Sequence, residues 1–174
     1  MKKKIAMTIV LGSFILLLLF VYKTNYNTVI SDYSDEVKAY FPKKISKNAK
    51  NVKLSEASIL ESPQLYLQLY FDKKNYRKWN ARLGKKYRIV AKCKITDKKV
   101  RNADAYGEVV MKNNYYISTG FFEKFDIPKS KTPWEYNFVI NQSKNTEEKW
   151  NHGEVGGWAE NEELGCIIFF FEEW

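Results

Sequence analysis

From Gln64 to Phe71 the chain reads QLYLQLYF, which places Leu65, Leu67, Leu69 and Phe71 on one side of an extended backbone and Gln64, Tyr66, Gln68 and Tyr70 on the other. The alternation predicts a half-buried strand. It runs into DKKNYRKWNARLG, where Asp72 can cap a first helical turn, Tyr76, Trp79 and Leu83 form an apolar stripe, and Gly84 can supply a left-handed C-terminal turn. A short helix fits there. Next, Tyr87, Ile89, Ala91, Cys93 and Ile95 alternate with Arg88, Val90, Lys92 and Lys94, a second strand with one buried and one basic side. GEVVM and YYIST flank Lys112, Asn113 and Asn114 as a hairpin would, and Tyr136, Phe138 and Ile140 mark a further strand. The last pair, GEVGGWAE and LGCIIFFFEE, joined through Asn161 to Glu163, reads as another hairpin. The unbroken run ending in Phe169, Phe170 and Phe171 suits a central strand buried on both sides better than a membrane-touching tail ending at Trp174. Strands outnumber helices and none alternates with a long helix. The expected class is α+β, a mostly antiparallel sheet with one or two short helices on one face.

The N-terminus follows another pattern. Lys2, Lys3 and Lys4 precede 18 uncharged residues from Ile5 to Tyr22. A helix of that length rises roughly 27 Å, close to the ~30 Å hydrocarbon core of a bilayer. No small-x-small cleavage site follows the run, and Cys93 and Cys166 lie too far downstream for lipid attachment. The segment therefore reads as an uncleaved signal anchor, a single N-terminal transmembrane helix, with its lysines in the cytoplasm. The expected organisation is a signal anchor over residues 1–22, a connector with a short helix over 23–40, and an extracytoplasmic α+β domain over 41–174. In the connector, Ser31 or Asp32 can cap a helix through Asp35, Glu36 and Val37 that Pro42 ends.

Composition adds one fact to this picture. Aromatic residues form 16% and hydrophobic residues 45% of the chain, enough for a packed domain and too much for a disordered stalk. The net charge of +9 hides an asymmetry. From Lys38 to Arg101 there are 19 basic and 4 acidic residues, a net +15, whereas residues 102–174 carry a net −7. Oppositely charged faces can attract each other within the fold. Alternatively Lys73, Lys74, Arg77, Lys78, Arg82, Lys85, Lys86, Arg88, Lys92 and Lys94 form a polyanion-binding patch for anionic lipid or wall polymer. Nucleic acid is not expected outside the membrane, and no recognition motif for it is present.

Candidate chemistry is sparse. His152, the single histidine, stands in an Asn-His-Gly turn with no second metal ligand at a useful spacing, so no metal is expected. Cys93 and Cys166 sit in apolar strand-like runs and read as free buried thiols, although an extracytoplasmic location would allow them to pair. Glu147 with Glu148 and Glu162 with Glu163 are adjacent acids of the solvated kind. Gly153, Gly156 and Gly157 are followed by no Lys-Ser/Thr and read as turn and bulge glycines. No cofactor or catalytic residue is expected.

The segment YFPKKISKNAKNVKL, with Phe41, Pro42, Ile45, Asn48, Ala49, Asn51 and Val52, the strand QLYLQLYF and the end GGWAENEELGCIIFFFEEW together carry a resemblance. The chain resembles a family of small, functionally uncharacterised membrane-anchored or lipoprotein-like domains of low-GC Gram-positive bacteria. The resemblance implies an extracytoplasmic location and a Gly-Gly strand paired with the aromatic terminal strand; it implies no activity. Ser46 stands where that family usually has a second proline. The expected role is a non-catalytic binding or interaction module at the cell envelope, with an anionic polymer, anionic lipid or protein partner. An immunity or accessory protein of a membrane or secreted-toxin system and a hydrolase are the alternatives.

Overall fold

Apolar runs such as QLYLQLYF and CIIFFFEE need cover on the faces they present, and a six-stranded sheet supplies it for its central strands. The computed structural model describes residues 26, 29–59, 62–102, 117–145 and 151–173. Their order is α1 (Asp35–Tyr40), β1 (Lys50–Ile59), β2 (Ser62–Tyr70), α2 (Lys73–Lys86), β3 (Ala91–Ile95), α3 (Asp97–Arg101), α4 (Phe121–Lys124), β4 (Trp134–Asn145), β5 (Asn151–Asn161) and β6 (Cys166–Glu173). Contacts divide the chain into Met1–Ala39 and Tyr40–Trp174. The run Ile5–Tyr22 and residues 103–116, which hold most of the expected GEVVM/YYIST hairpin, lie outside the described residues; Ile117, Ser118 and Thr119 are not strand. Among the described residues no helix is long and apolar enough to cross a membrane.

The strands form one antiparallel sheet in the order β1-β2-β6-β5-β4-β3. The last strand thus lies inside the sheet, between β2 and β5, and every residue from Cys166 to Glu172 is buried. Directly opposed residues share a face, so Leu65, Leu67 and Leu69 of β2 sit beside Phe171, Phe169 and Ile167 of β6, and Tyr66, Gln68 and Tyr70 sit beside Phe170, Ile168 and Cys166.

Each face has its own cover. On the first, Trp79 of α2 meets Phe169 edge-on at 6.2 Å and stacks on Phe71 at 5.5 Å, while Tyr40 stacks on Phe171. On the second, Phe121 of α4 packs among Tyr66, Trp134, Tyr136 and Phe170, with ring centroids between 6.0 and 6.3 Å. The expectation of helices on one face is corrected here, because α2 and α4 lie on opposite faces. Tyr66 and Gln68, expected to point toward solvent, are buried in consequence, at 0% and 1% exposure.

Local sequence explains most boundaries. The side chain of Ser34, rather than of Ser31 or Asp32, accepts from the Val37 N–H at the start of α1. The second expected strand is shorter than its alternation suggested, since α2 continues through Gly84 to Lys86 and Tyr87 caps it in extended conformation. The Gly156–Gly157 pair lies opposite an irregularity between Phe138 and Ile140. Gly157, at φ +155°, lies so close to the Asn137 carbonyl that no side chain fits. Gly165, at φ +62°, makes the β5–β6 turn against the Phe71 carbonyl.

Candidate functional site

Helix α2 begins where Asp72 accepts from the backbone N–H of Asn75 at 2.9 Å. Tyr76 and Leu83 are its buried residues and point to the sheet. Everything charged on the remaining surface is basic: Lys73, Lys74, Arg77, Lys78, Arg82, Lys85 and Lys86 occupy half of the 14 positions, with no acid among them. Lys74, Lys78, Arg82 and Lys85 follow one another at helical spacing, so they form an outward stripe about 16 Å long.

This composition works against the helix itself. Lys73 with Arg77, Lys74 with Lys78, Lys78 with Arg82 and Arg82 with Lys86 are like-charged at i,i+4, and such pairs together cost about 1–2 kcal/mol. The first turn holds two lysines and no acid, the wrong sign for the positive end of the helix dipole. Only Asp72, outside the helix, offsets it.

All ten residues of the expected patch are exposed. Seven lie on α2, Arg88 lies in the turn after it, and Lys92 and Lys94 lie on β3. The register of β3 with β4 turns these two lysines to the face that α2 covers. There Glu135 takes both, at 3.8 Å and 3.0 Å, and Arg77 pairs with Glu162 at 2.9 Å. Ion pairing between the basic and acidic halves of the sequence is therefore real, and among the described residues it takes in three of the ten. Lys74, Lys78, Arg82 and Lys85 have no ion pair among the described residues. The site reduces to the outer face of α2.

Reactive groups are arranged differently. Both cysteines are free, and burial pushes Cys93 up to about 11 and Cys166 up to about 12, far from thiolate chemistry. His152 belongs to β5, opposite Lys144 in register. Among the described residues no three His, Cys, Asp or Glu side chains converge as a metal ion requires. Glu147 and Glu148 lie outside the described residues. Glu163 accepts from the Ser130 hydroxyl and from the N–H groups of Lys131 and Thr132, which hold its carboxyl below the usual range. With Glu162 it borders an open cleft of about 340 Å³ beside Phe71, Lys73 and Gly165.

The sequence did not reveal three buried acids. Asp97 accepts from Trp134 Nε1 at 2.9 Å and from Arg101 at 2.7 Å; its burial would raise the carboxyl, but these donors hold it below its ordinary value. Glu172 accepts from the hydroxyls of Tyr66 and Ser118 on the α4 face. Glu160, on the α2 face, accepts from Tyr76 and from Asn137 Nδ2, yet burial dominates and raises its carboxyl. Beside it Asn137 Oδ1 and Trp158 Nε1 have no hydrogen-bond partner among the described residues. Glu160 and Glu172 occupy opposite faces of the sheet, so they cannot act together on one bond.

No protein-family model, curated protein or solved structure matches the chain.

Proposed function

We propose that the chain is a single-pass membrane protein whose extracytoplasmic domain binds anionic lipid or wall polymer through the outer face of α2, without turnover. The observation that carries this reading is the charge of that helix. Seven cations and no acid occupy 14 positions at a cost to helix stability, and four cations of the stripe stay unpaired among the described residues. A surface that served only solubility would mix the signs along i,i+4 and lose nothing by it. The anchor belongs to the same proposal: the apolar run Ile5–Tyr22 behind Lys2, Lys3 and Lys4 fits a bilayer and keeps the domain near headgroups and envelope polymers.

Vesicle flotation of the soluble part, residues 32–174, tests the binding face. Binding to vesicles containing phosphatidylglycerol is expected, with none to pure phosphatidylcholine and a steep loss as salt rises, each lysine contributing about 1 kcal/mol near such a surface. Changing Lys74, Lys78 and Lys85 together to Gln should remove most of the binding and leave the fold intact, since all three are exposed. Equal binding to both vesicle types, or a mutant that binds like the parent, overturns the proposal.

A further inference from the structure

The inner side of α2 covers two polar atoms that the chain leaves unanswered. Asn137 of β4 and Trp158 of β5 are directly opposed in register, so both side chains leave the sheet on the same face from backbones about 5 Å apart. Each residue is 1% exposed. Asn137 Oδ1 accepts only and Trp158 Nε1 donates only, and neither has a hydrogen-bond partner among the described residues. Glu160, two positions along β5 on that face, accepts from Asn137 Nδ2 at 3.0 Å. The cover comes from two tyrosines: Tyr76 of α2 donates to Glu160 at 3.1 Å, and Tyr87, just past the helix, lays its ring on Trp158 at 5.5 Å. On β3 the residue opposite Asn137 is Lys92, whose ammonium turns to Glu135 at 3.8 Å.

No rearrangement of the Asn137 amide satisfies both atoms. Turned over, it would set Oδ1 against Glu160 Oε1 and put Nδ2 where Oδ1 had been, again with no acceptor, while Trp158 Nε1 stayed as it was. Leaving a buried donor and a buried acceptor unmade is costly, and native interiors answer such pairs with a third group. A hydroxyl answers both at once, because its oxygen accepts from the indole N–H and its proton goes to the amide oxygen. Water is the smallest hydroxyl, and the 1% exposure of both residues suits a molecule of that size. The Glu160 carboxyl, next to Asn137, keeps lone pairs for its second proton.

We infer that Trp158 Nε1 and Asn137 Oδ1 bind one water molecule, buried between the β4–β5 pair and the underside of α2. By donating to Oδ1, this water keeps Nδ2 turned toward Glu160. The site lies on the inner side of the helix and is independent of the anion-binding reading of its outer face.

The test uses the full chain in a neutral detergent, with a nitrogen isotope label in the indoles of its five tryptophans. Cross-peaks between each indole proton and the water resonance are recorded in paired laboratory-frame and rotating-frame Overhauser experiments, where a peak from a long-lived neighbour changes sign and a peak from exchange does not. Trp158→Phe assigns the Trp158 signal. The expected result is a peak from a long-lived neighbour at Trp158 and none at Trp134, which is equally buried but donates to Asp97 at 2.9 Å. Asn137→Leu takes away the acceptor of the water and should abolish the Trp158 peak, with an unmoved Trp134 signal showing that the fold is kept. A Trp158 peak that survives in that folded variant would come from an exchanging tyrosine hydroxyl, Tyr76 or Tyr87, and would overturn the inference. So would the absence of such a peak at Trp158, or equal peaks at Trp158 and Trp134; the unaltered chain decides these two outcomes even where Asn137→Leu does not fold.

Discussion

Replacing Tyr76 by Phe removes one oxygen from the underside of α2 and tests how the basic helix is held. The Tyr76 hydroxyl donates to Glu160 Oε2 at 3.1 Å, and Asn137 Nδ2 donates to Oε1 at 3.0 Å. A buried carboxylate that loses one donor costs about 1.5–3 kcal/mol, whereas the corresponding bond to a neutral carboxyl is worth about 0.5–1.5 kcal/mol. The expected loss is thus large where Glu160 is ionised and smaller where it is protonated. Burial raises the native carboxyl above its unfolded value, with Glu135 adding repulsion and Lys92 a weaker attraction. The folded chain therefore holds that proton more tightly than the unfolded chain. The contribution of Glu160 to stability is greatest below the unfolded value near ~4.3 and declines as pH rises through the native one. Tyr76→Phe raises the native value further, so the variant declines more across the same window. Urea unfolding of residues 32–174 followed by tryptophan fluorescence, at about pH 4 and about pH 8, measures both arms. Glu160→Gln supplies the control, since it flattens this part of the pH profile; its amide can accept from Tyr76 and, with the Asn137 amide turned over, donate to the now partnerless Asn137 Oδ1. An equal Tyr76→Phe loss at both pH values would refute the reasoning, because the hydroxyl would then be serving no ionised group.

Three further outcomes can be measured, two from the structure and one from the proposed anchor. Gly157→Ala drives a Cβ into the Asn137 carbonyl and should lower the urea midpoint by the equivalent of at least about 1–3 kcal/mol, whereas Gly156→Ala meets only the Ile140 and Tyr40 side chains and should cost less. Both thiols should resist an aromatic disulfide reagent in the native state, Cys93 reacting slowly and Cys166 only on unfolding; native-state reaction of Cys166 ahead of Cys93 would contradict their burial. Protease added to intact protoplasts should remove the domain while the N-terminal segment stays in the membrane fraction, and a mature chain starting beyond Lys23 in the medium would disprove the anchor.

The elements legible in the sequence are those whose signal is local. QLYLQLYF alternates over its whole length, and Asp72 stands at the cap of α2, three residues before the N–H it accepts. The apolar run of β6 requires cover on both sides, which only an interior strand receives. By contrast β1 was not anticipated. It is an edge strand with a register irregularity between Lys50 and Lys53 and a positive φ at Asn51, and only Val52 and Leu54 give it an apolar period. The face that a helix covers is also beyond a periodicity argument. QLYLQLYF has one apolar and one polar side, yet Phe121, 55 positions after Tyr66, closes over the polar side. Alternation reports which residues differ, not whether a distant segment will arrive to bury both sets.

The same distinction between local and distant information separates the two kinds of charge in this protein. The basic face of α2 was readable because its cations are close in sequence and a helix converts that closeness into a surface. Its extent was not, because Glu135 and Glu162, which neutralise Lys92, Lys94 and Arg77, come from β4 and the β5–β6 turn. Nothing local to Glu160 signals its burial, because its partner Tyr76 lies 84 residues away. One consequence joins the two. The residue that carries α2 onto the sheet bonds to a carboxylate whose burial is costly, and the opposite side of the same helix carries cations whose repulsion is costly. Neither cost is needed to build a six-stranded sheet with apolar cover. An anion on the outer face would lower the second directly and leave the first unchanged, so bound phosphate or anionic lipid should stabilise α2 without altering the pH profile set by Glu160.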